Sequence, residues 1–324
     1  MTQGIYTEQE ASPTEPRFSF SSLPSQAKVL LKLVVIGLML LPAVLVLDRI
    51  YLMVKEREGY YQRTVQEIAH LWGKEQLIKG PVLSIPFKSQ EGHRKYVYVL
   101  PEKLKILGDL TPQIRQRGLF EAVVYAAELS LSGSYSKNKI REALANVNAA
   151  QIFYQSAFVG LGISDTHSIN GSSEFSFSGV NKDLRANAGA AGLLGNGIHV
   201  LVDLSGPQTD VINFKGTLKL NGAKSLRVAA VGAQTDVVLK APWKDPSFIG
   251  RHLPVDKEID DQGFTAHWDI SHLGQSLART FTSGQNNVMK ERLVASSFGV
   301  KLHQPVSPYR LVVRAIKCRS SDLI

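Results

Sequence analysis

The stretch VLLKLVVIGLMLLPAVLVL, residues 29–47, decides which solvent the rest of this chain must satisfy. It carries a single charge, Lys32, near its start, and a helix of about 20 mainly apolar residues is long enough to cross a bilayer. Lys32 lies one turn inside the edge, where its flexible stem reaches the headgroup layer. Pro42 would break a soluble helix, but in a membrane it costs one internal bond that neighbouring groups absorb. A buried core helix would be shorter and amphipathic. The segment therefore reads as a transmembrane helix over residues 28–48.

Charge does not orient this helix, because Arg17, Lys28 and Lys32 on one side face Arg49, Lys55, Arg57 and Arg63 on the other. Size does: long domains translocate largely regardless of charge, and most of the chain follows the helix. The N-terminus is expected in the cytoplasm. A cleaved signal peptide would have a shorter apolar region of about 7–15 residues and an A-x-A-like site, and this segment has neither, so it reads as an uncleaved anchor.

Working outward, residues 1–27 are rich in Ser, Pro, Gln and Glu without apolar periodicity, as in a disordered cytoplasmic tail. After the membrane, Ile50, Tyr51, Val54, Tyr61, Val65, Ile68 and Trp72 recur at spacings of three and four. That predicts a juxtamembrane helix over 49–74 with one apolar face turned to the domain that follows. Helical signals stop at Lys79, Gly80 and Pro81. From there short β-type runs are predicted at 82–87, 95–100, 104–108, 118–135, 197–204, 214–220, 225–230, 235–240, 263–268 and 297–302. Gly133 suggests a bulge or bend, Asn221-Gly222 the sharpest turn, and Ser136 the cap of a short helix over 136–144. Residues 171–197 read as a long exposed loop. The expected fold is mainly β: an antiparallel β-sandwich-like domain over 75–310 behind one N-terminal transmembrane helix. Strands of unequal length favour a sandwich over a barrel.

Composition sets the outer limits. The 324 residues are 44% hydrophobic, enough for a substantial core, and the net charge of +9 favours anionic partners. With an anchor present, the lipid bilayer is the nearest anion. Nucleic acid is excluded as a partner, since the basic residues are scattered and form no recognition motif. The one cysteine, Cys318, cannot form an intramolecular disulfide.

Candidate chemistry is sparse. Trp243, Pro246, Phe248, Phe264 and Trp268 form an aromatic and proline constellation that suits either a sugar- or peptide-binding platform or, with the greater weight, core packing. A tight turn at 245–247 accounts for the proline. The eight histidines include no H-x-H or HExxH pattern, there is no C-x-x-C, and His267 and His272 are not at ligand spacing. Asp165 and His167 lack a nucleophile elbow and read as a turn. Asp256, Glu258, Asp260 and Asp261 evoke glycosidase acids or calcium, but read as the solvated face of a polar hairpin. Gly160, Gly162 and the glycines at 189, 192, 195 and 197 read as loop glycines. No catalytic residue, metal ligand or cofactor site is assigned.

Several stretches taken together resemble the CreD family of bacterial inner-membrane proteins. GPVLSIPF at 80–87 is similar to the family's opening strand, and RGLF at 117–120 through LSLSG at 129–133 to its long central strand. LNG at 220–222, WKDPSFIG at 243–250, Leu253-Pro254 and GFTAHW at 263–268 follow in order. FGV at 298–300, Pro305-Val306, Tyr309, Arg314-Ala315 and Lys317 complete the set. The resemblance implies a periplasmic β-rich domain held to the inner membrane, in a family connected with envelope integrity and envelope-stress signalling, and it implies no reaction. Thr166-His167 stands where the family often has Arg-Gly, which loosens any role for that turn. Family members continue into further membrane helices, whereas this chain ends at Ile324, so residues 311–324 are expected to be a truncated juxtamembrane segment. Envelope proteins and cell-wall glycan are the partners to consider. The competing class is a periplasmic carbohydrate-binding or hydrolytic domain, and exposed rings or carboxylates paired in a cleft would mark it.

Overall fold

The computed structural model describes residues 25–303 apart from 119, 190, 191, 207 and 208. The tail expected over 1–27 lies outside these up to residue 24, and the segment 311–324 lies outside them entirely. Helix α1 (Ser25–Trp72) is followed by β1 (Gln76–Ser89), β2 (Arg94–Val99), β3 (Lys103–Arg117), β4 (Phe120–Ser136) and α2 (Lys137–Ala145). Then come β5 (Ala149–Ile152), β6 (Ala157–Ile163), β7 (Glu174–Phe177), β8 (Val180–Lys182), β9 (Arg185–Ala186), β10 (Gly197–Val202) and β11 (Val211–Ala223). The chain closes with β12 (Ser225–Ala229), β13 (Gln234–Ala241), β14 (Pro246–Gly250), β15 (Asp256–Ile259), β16 (Phe264–Ser271), β17 (Thr280–Thr282), α3 (Asn286–Ala295) and β18 (Ser297–Leu302).

Two compact units divide between Glu58 and Gly59. In the first, among the described residues, the Val and Leu side chains of the apolar part of α1 from Val29 to Leu47 are exposed. By length and composition this helix can cross a membrane, and a continuous exposed apolar surface is what lipid, rather than water, would cover.

The β-rich unit runs from Gly59 onward and includes the last turns of α1. Its strands form two mixed sheets in a sandwich-like arrangement. The first has the order β14-β18-β12-β1-β6-β10-β9, with β2 and β5 also on β1 and β17 on β2. The second has the order β15-β16-β13-β3-β4-β11-β7-β8. In β3 the alternation is clean: Leu104, Ile106 and Leu110 are buried while Lys103, Lys105 and Asp109 face out. Period-two patterning of this kind places one face of the second sheet in the core and leaves the other polar.

The structure corrects several readings of the sequence. Pairing is not all antiparallel, because β1 runs parallel to β12 and β3 to β13. The β region begins at Gln76 and runs straight through Gly80-Pro81, rather than opening after them. Asn221-Gly222 is no turn; both lie inside β11, and the chain crosses to the first sheet at Lys224, whose φ is 62°. Gly133 makes no bulge, since β4 keeps its register with β3 and β11 through it; a Cβ there would overlap the Lys103 carbonyl and the Phe214 ring. Residues 171–197 are not one exposed loop: they contain β7, β8 and β9 and bury Phe175, Phe177, Leu193 and Leu194. Gly160 and Gly162 lie in the buried strand β6, and Cβ atoms there would come within 2.5 Å of Ala188 O and 2.8 Å of Leu194 O. Pro246 opens the edge strand β14 instead of a turn, a position where its missing N–H costs no ladder bond. Helix α3 was not expected; Met289 and Leu293, one turn apart, bury its inner side.

Candidate functional site

One face of the last turns of α1 carries Tyr61, Val65, Ile68, Ala69 and Trp72, a spacing of three and four that lines them up along the helix. They pack on Ala122, Val124 and Phe120 of β4 and Ala223 of β11, forming a small second core separate from the sandwich interior. Tyr61 meets Phe120 edge-on at 5.8 Å between ring centres. This explains the failed alternation of β4: Val123 and Tyr125 point into the sandwich while Ala122 and Val124 point at the helix, so all four are buried.

Polar groups close the rim. Trp72 Nε1 donates to the Tyr125 carbonyl at 3.1 Å, and the Arg115 guanidinium lies 4.2 Å from the centre of the Trp72 indole, a cation–π contact. Arg117 pairs with Glu67 at 2.7 Å.

The exit of the helix is held more tightly still. Gly73 has φ 152°, and a Cβ there would lie 2.7 Å from Asn221 O, so both conformation and space call for glycine. Lys74 N donates to Asp165 Oδ2 at 3.2 Å, and Ala223 N to the Lys74 carbonyl at 3.1 Å. The buried Gln76 amide donates to Ser168 Oγ at 2.7 Å and Asn221 O at 3.0 Å, and its oxygen accepts from Asp165 N at 3.4 Å. Leu77 N donates to Ser164 Oγ at 3.1 Å, and Ser225 Oγ to Glu75 Oε2 at 3.1 Å. The wholly buried Tyr125 hydroxyl donates to Ser225 O at 2.8 Å. Burial, and next the Glu75 carboxylate, push that phenol well above its ordinary range, so it stays a neutral donor. A Cβ on Gly222 would overlap the Tyr125 ring and hydroxyl, which is why β11 carries glycine there.

These groups fix a helix to two sheets. Each of them is spent on a hydrogen bond between α1, the strands and the turn at 164–168, which holds the helix exit in position.

Sequence reasoning reached Tyr61, Val65, Ile68 and Trp72 but not the network beneath them. Asp165 looked like an isolated turn; its Oδ1 does accept from His167 N at 3.2 Å, while its second oxygen receives Lys74 N. Two signals were present in the chain: six consecutive apolar residues at 122–127 inside an otherwise alternating strand, and a Gly-Lys-Glu-Gln run at 73–76 between a helix and a strand.

The aromatic constellation lies elsewhere, at the end of the sandwich where β14 and β18 face β16. Trp268 is 0% exposed and its Nε1 donates to His252 O at 3.1 Å. Phe264 is buried, and half-buried Phe248 meets Phe264 at 5.9 Å and Trp268 at 5.7 Å, both edge-on. Trp268 also contacts Phe298 at 5.5 Å. Trp243 is half-buried against the same core, and Pro246 stands at the start of β14. Among the described residues the exposed aromatic side chains are Tyr60 and Tyr154, so these rings do not present an open stacking surface.

The acidic hairpin borders a shallow groove of about 490 Å³ lined by Asp109, Glu258 and Asp260. Of these, Asp109 and Asp260 are engaged locally, as is the neighbouring Asp261. Asp109 pairs with Lys240 at 2.9 Å, Asp260 accepts from Gln262 N at 2.8 Å and Gly263 N at 3.0 Å, and Asp261 pairs with Lys244 at 2.8 Å. His267, on the outer face of β16, stands 3.4 Å from Asp236 and 3.7 Å from Asp256. Among the described residues no group of three or more His, Cys, Asp or Glu could hold a metal ion.

Against known proteins, residues 28–319 match the family model described as inner membrane protein CreD. The chain is similar to the inner membrane protein CreD of Escherichia coli strain K12, with 25% identity over 291 residues. That alignment covers 86% of this chain and 62% of the relative, so the chain spans less than two thirds of the length of the curated relative it matches.

Proposed function

Since the chain belongs to the CreD family of inner membrane proteins, we propose that it is a non-enzymatic envelope protein, anchored by α1 with its N-terminus in the cytoplasm and its β-rich unit in the periplasm. There it serves envelope integrity under stress by binding or scaffolding an envelope partner. The observation that carries this reading is the junction: the helix bearing the membrane-length apolar segment ends in a second core built against β4 and β11. Within the β-rich unit, a buried amide, a buried phenol and two obligatory glycines hold the last turns of α1 on the sheets.

Support for a scaffold over a hydrolase comes from the local engagement of Asp109, Asp260 and Asp261 beside the groove and from tryptophans that are buried or half-buried. Alkaline carbonate should leave the protein in the membrane pellet. Alkaline phosphatase fused after residue 303 should be active and a green fluorescent protein fused there dark; the opposite pair of signals would reverse the orientation. Disulfide-trapped pull-down of envelope proteins from cells carrying single exposed cysteines on the outer face of the second sheet tests the scaffolding role. Turnover of a cell-wall glycan by the purified protein would refute the non-enzymatic reading.

A further inference from the structure

Away from the junction, α2 roofs an apolar groove of about 420 Å³. Ile140 and Leu144, one turn apart, form its upper wall, and Ile152 of β5, Leu204 after β10 and Ile212 of β11 form the floor. Lys137 and Arg141 lie on the same helical stripe, because positions i, i+3, i+4 and i+7 share a face, and both border the opening. No carboxylate is among the described residues lining it. The first five residues of α2 hold three cations, Lys137, Lys139 and Arg141, and its first turn holds no acid. Cations at the N-terminal end of a helix oppose the backbone dipole, which favours negative charge there. Lys139 is offset by Glu142 at 3.1 Å; Arg141 remains exposed at the mouth of the groove.

We propose that this groove binds a single-chain anionic amphiphile of the long-chain fatty acid type, its aliphatic tail on Ile140, Leu144, Leu204 and Ile212 and its carboxylate at Arg141. The volume lies in the range of pockets that hold one small molecule, with mostly apolar walls and few placed polar groups. That suits one acyl chain and not a two-chain bilayer lipid. The inference holds on whichever side of the membrane the unit lies, and so stands apart from the orientation proposed above.

The groove can be plugged without unfolding the domain. Gly206 lines it and has open space where a Cβ would stand, with no unusual φ, so Gly206→Phe should fill the mouth. Gly274, which has the same open surroundings away from the groove, gives the control Gly274→Phe. The experiment uses the full chain in zwitterionic nanodiscs, a diazirine-bearing dodecanoate as probe, and mass spectrometry of the labelled peptides. The wild type and Gly274→Phe should be labelled on peptides containing Leu144 or Ile212. Gly206→Phe should lose about tenfold or more, since each methylene kept out of an apolar site is worth roughly fourfold. Arg141→Glu should lose up to about fivefold, and unlabelled dodecanoate should compete better than dodecanol. Equal labelling of Gly206→Phe and wild type overturns the site, and equal competition by dodecanol overturns the carboxylate. Labelling of the same peptides by a diacyl phosphatidylglycerol probe, in place of the fatty acid, would overturn the single-chain reading.

Discussion

The β-rich unit contains two cores of different kinds. The sandwich core is large and almost wholly apolar, from Ile78 and Leu83 through Trp268 to Phe298. The junction core is a handful of residues around Tyr61, Val65 and Val124, backed by a network of buried polar groups at Gln76, Tyr125, Ser168 and Ser225. Apolar burial is non-directional and scales with area, so the first core supplies most of the stability. Buried hydrogen bonds are directional and costly to leave unmade, so the second specifies one arrangement of the helix exit. A large core makes the unit stable, and a small polar one fixes where the last turns of α1 lie on it.

The largest expected effect falls in the sandwich core. Trp268→Ala or Phe264→Ala should each cost about 3–5 kcal/mol, read as a lowered midpoint of chemical denaturation of the whole β-rich unit. A variant of either residue that kept full stability would mean that the end of the sandwich is not part of the cooperative core. It would also revive the stacking-platform reading of these rings.

Next comes the network. Gln76→Ala removes the side-chain partner of Asn221 O and Asp165 N, while Ser168 Oγ keeps the Asp165 carbonyl, and stranding such groups costs about 1–3 kcal/mol. The sharper expectation is where the loss shows. Hydrogen exchange should rise in 59–77 and 164–168, while β6 and β12 stay protected, because sub-global opening follows cooperative units. Uniform deprotection of the whole unit would show that the two cores are energetically one.

How legible each core was follows from the same contrast. The sandwich was readable because period-two alternation is written directly in β3, β13 and β16, and it failed where strands are buried on both faces or are held by glycine. β6, with seven buried residues and two glycines, looked like a loop because nothing in it alternates. Asn221-Gly222 looked like a turn because its glycine serves clearance for Tyr125 rather than a positive φ. At the junction the helix stripe was visible from its 3.6-residue period. The partners were not, because Gln76, Asp165, Asn221 and Ser225 are up to 150 positions apart in the chain and meet only through the strand order.

A smaller effect is expected at the rim. Arg117 and Glu67 are both more than half exposed, and such pairs are worth at most about 1 kcal/mol and are screened by salt. Arg117→Ala should therefore lower stability slightly at low ionic strength and not measurably at high salt. A salt-independent loss would move this pair from the rim into the specifying network.

The smallest effect sharpens the sandwich side and depends on pH. His252 lies beside the buried tryptophan, its carbonyl accepting from Trp268 Nε1 and its ring edge-on to Phe298 at 6.1 Å. Burial, and next the neighbouring Arg251, hold its imidazole pKa below the usual value. A depressed histidine pKa means the folded state resists protonation: between the folded and the ordinary value the unfolded chain binds more protons, so stability rises with pH across that window. The contribution is thus fully present above about pH 6.5 and is lost as pH falls through the lowered value. The ring is only partly buried, and solvent screening keeps the effect small. His252→Phe keeps the ring contact and the backbone acceptor while removing the titration, so its denaturation midpoint should fall less than that of the wild type between pH 7.5 and pH 5. Lys79, whose pKa is lowered by burial and then by Lys290, acts on the alkaline side, and carboxylates common to both proteins cancel in the difference. Identical acid sensitivity in the two proteins would mean that the end of the sandwich admits water to His252, and that the apolar core closes short of Trp268.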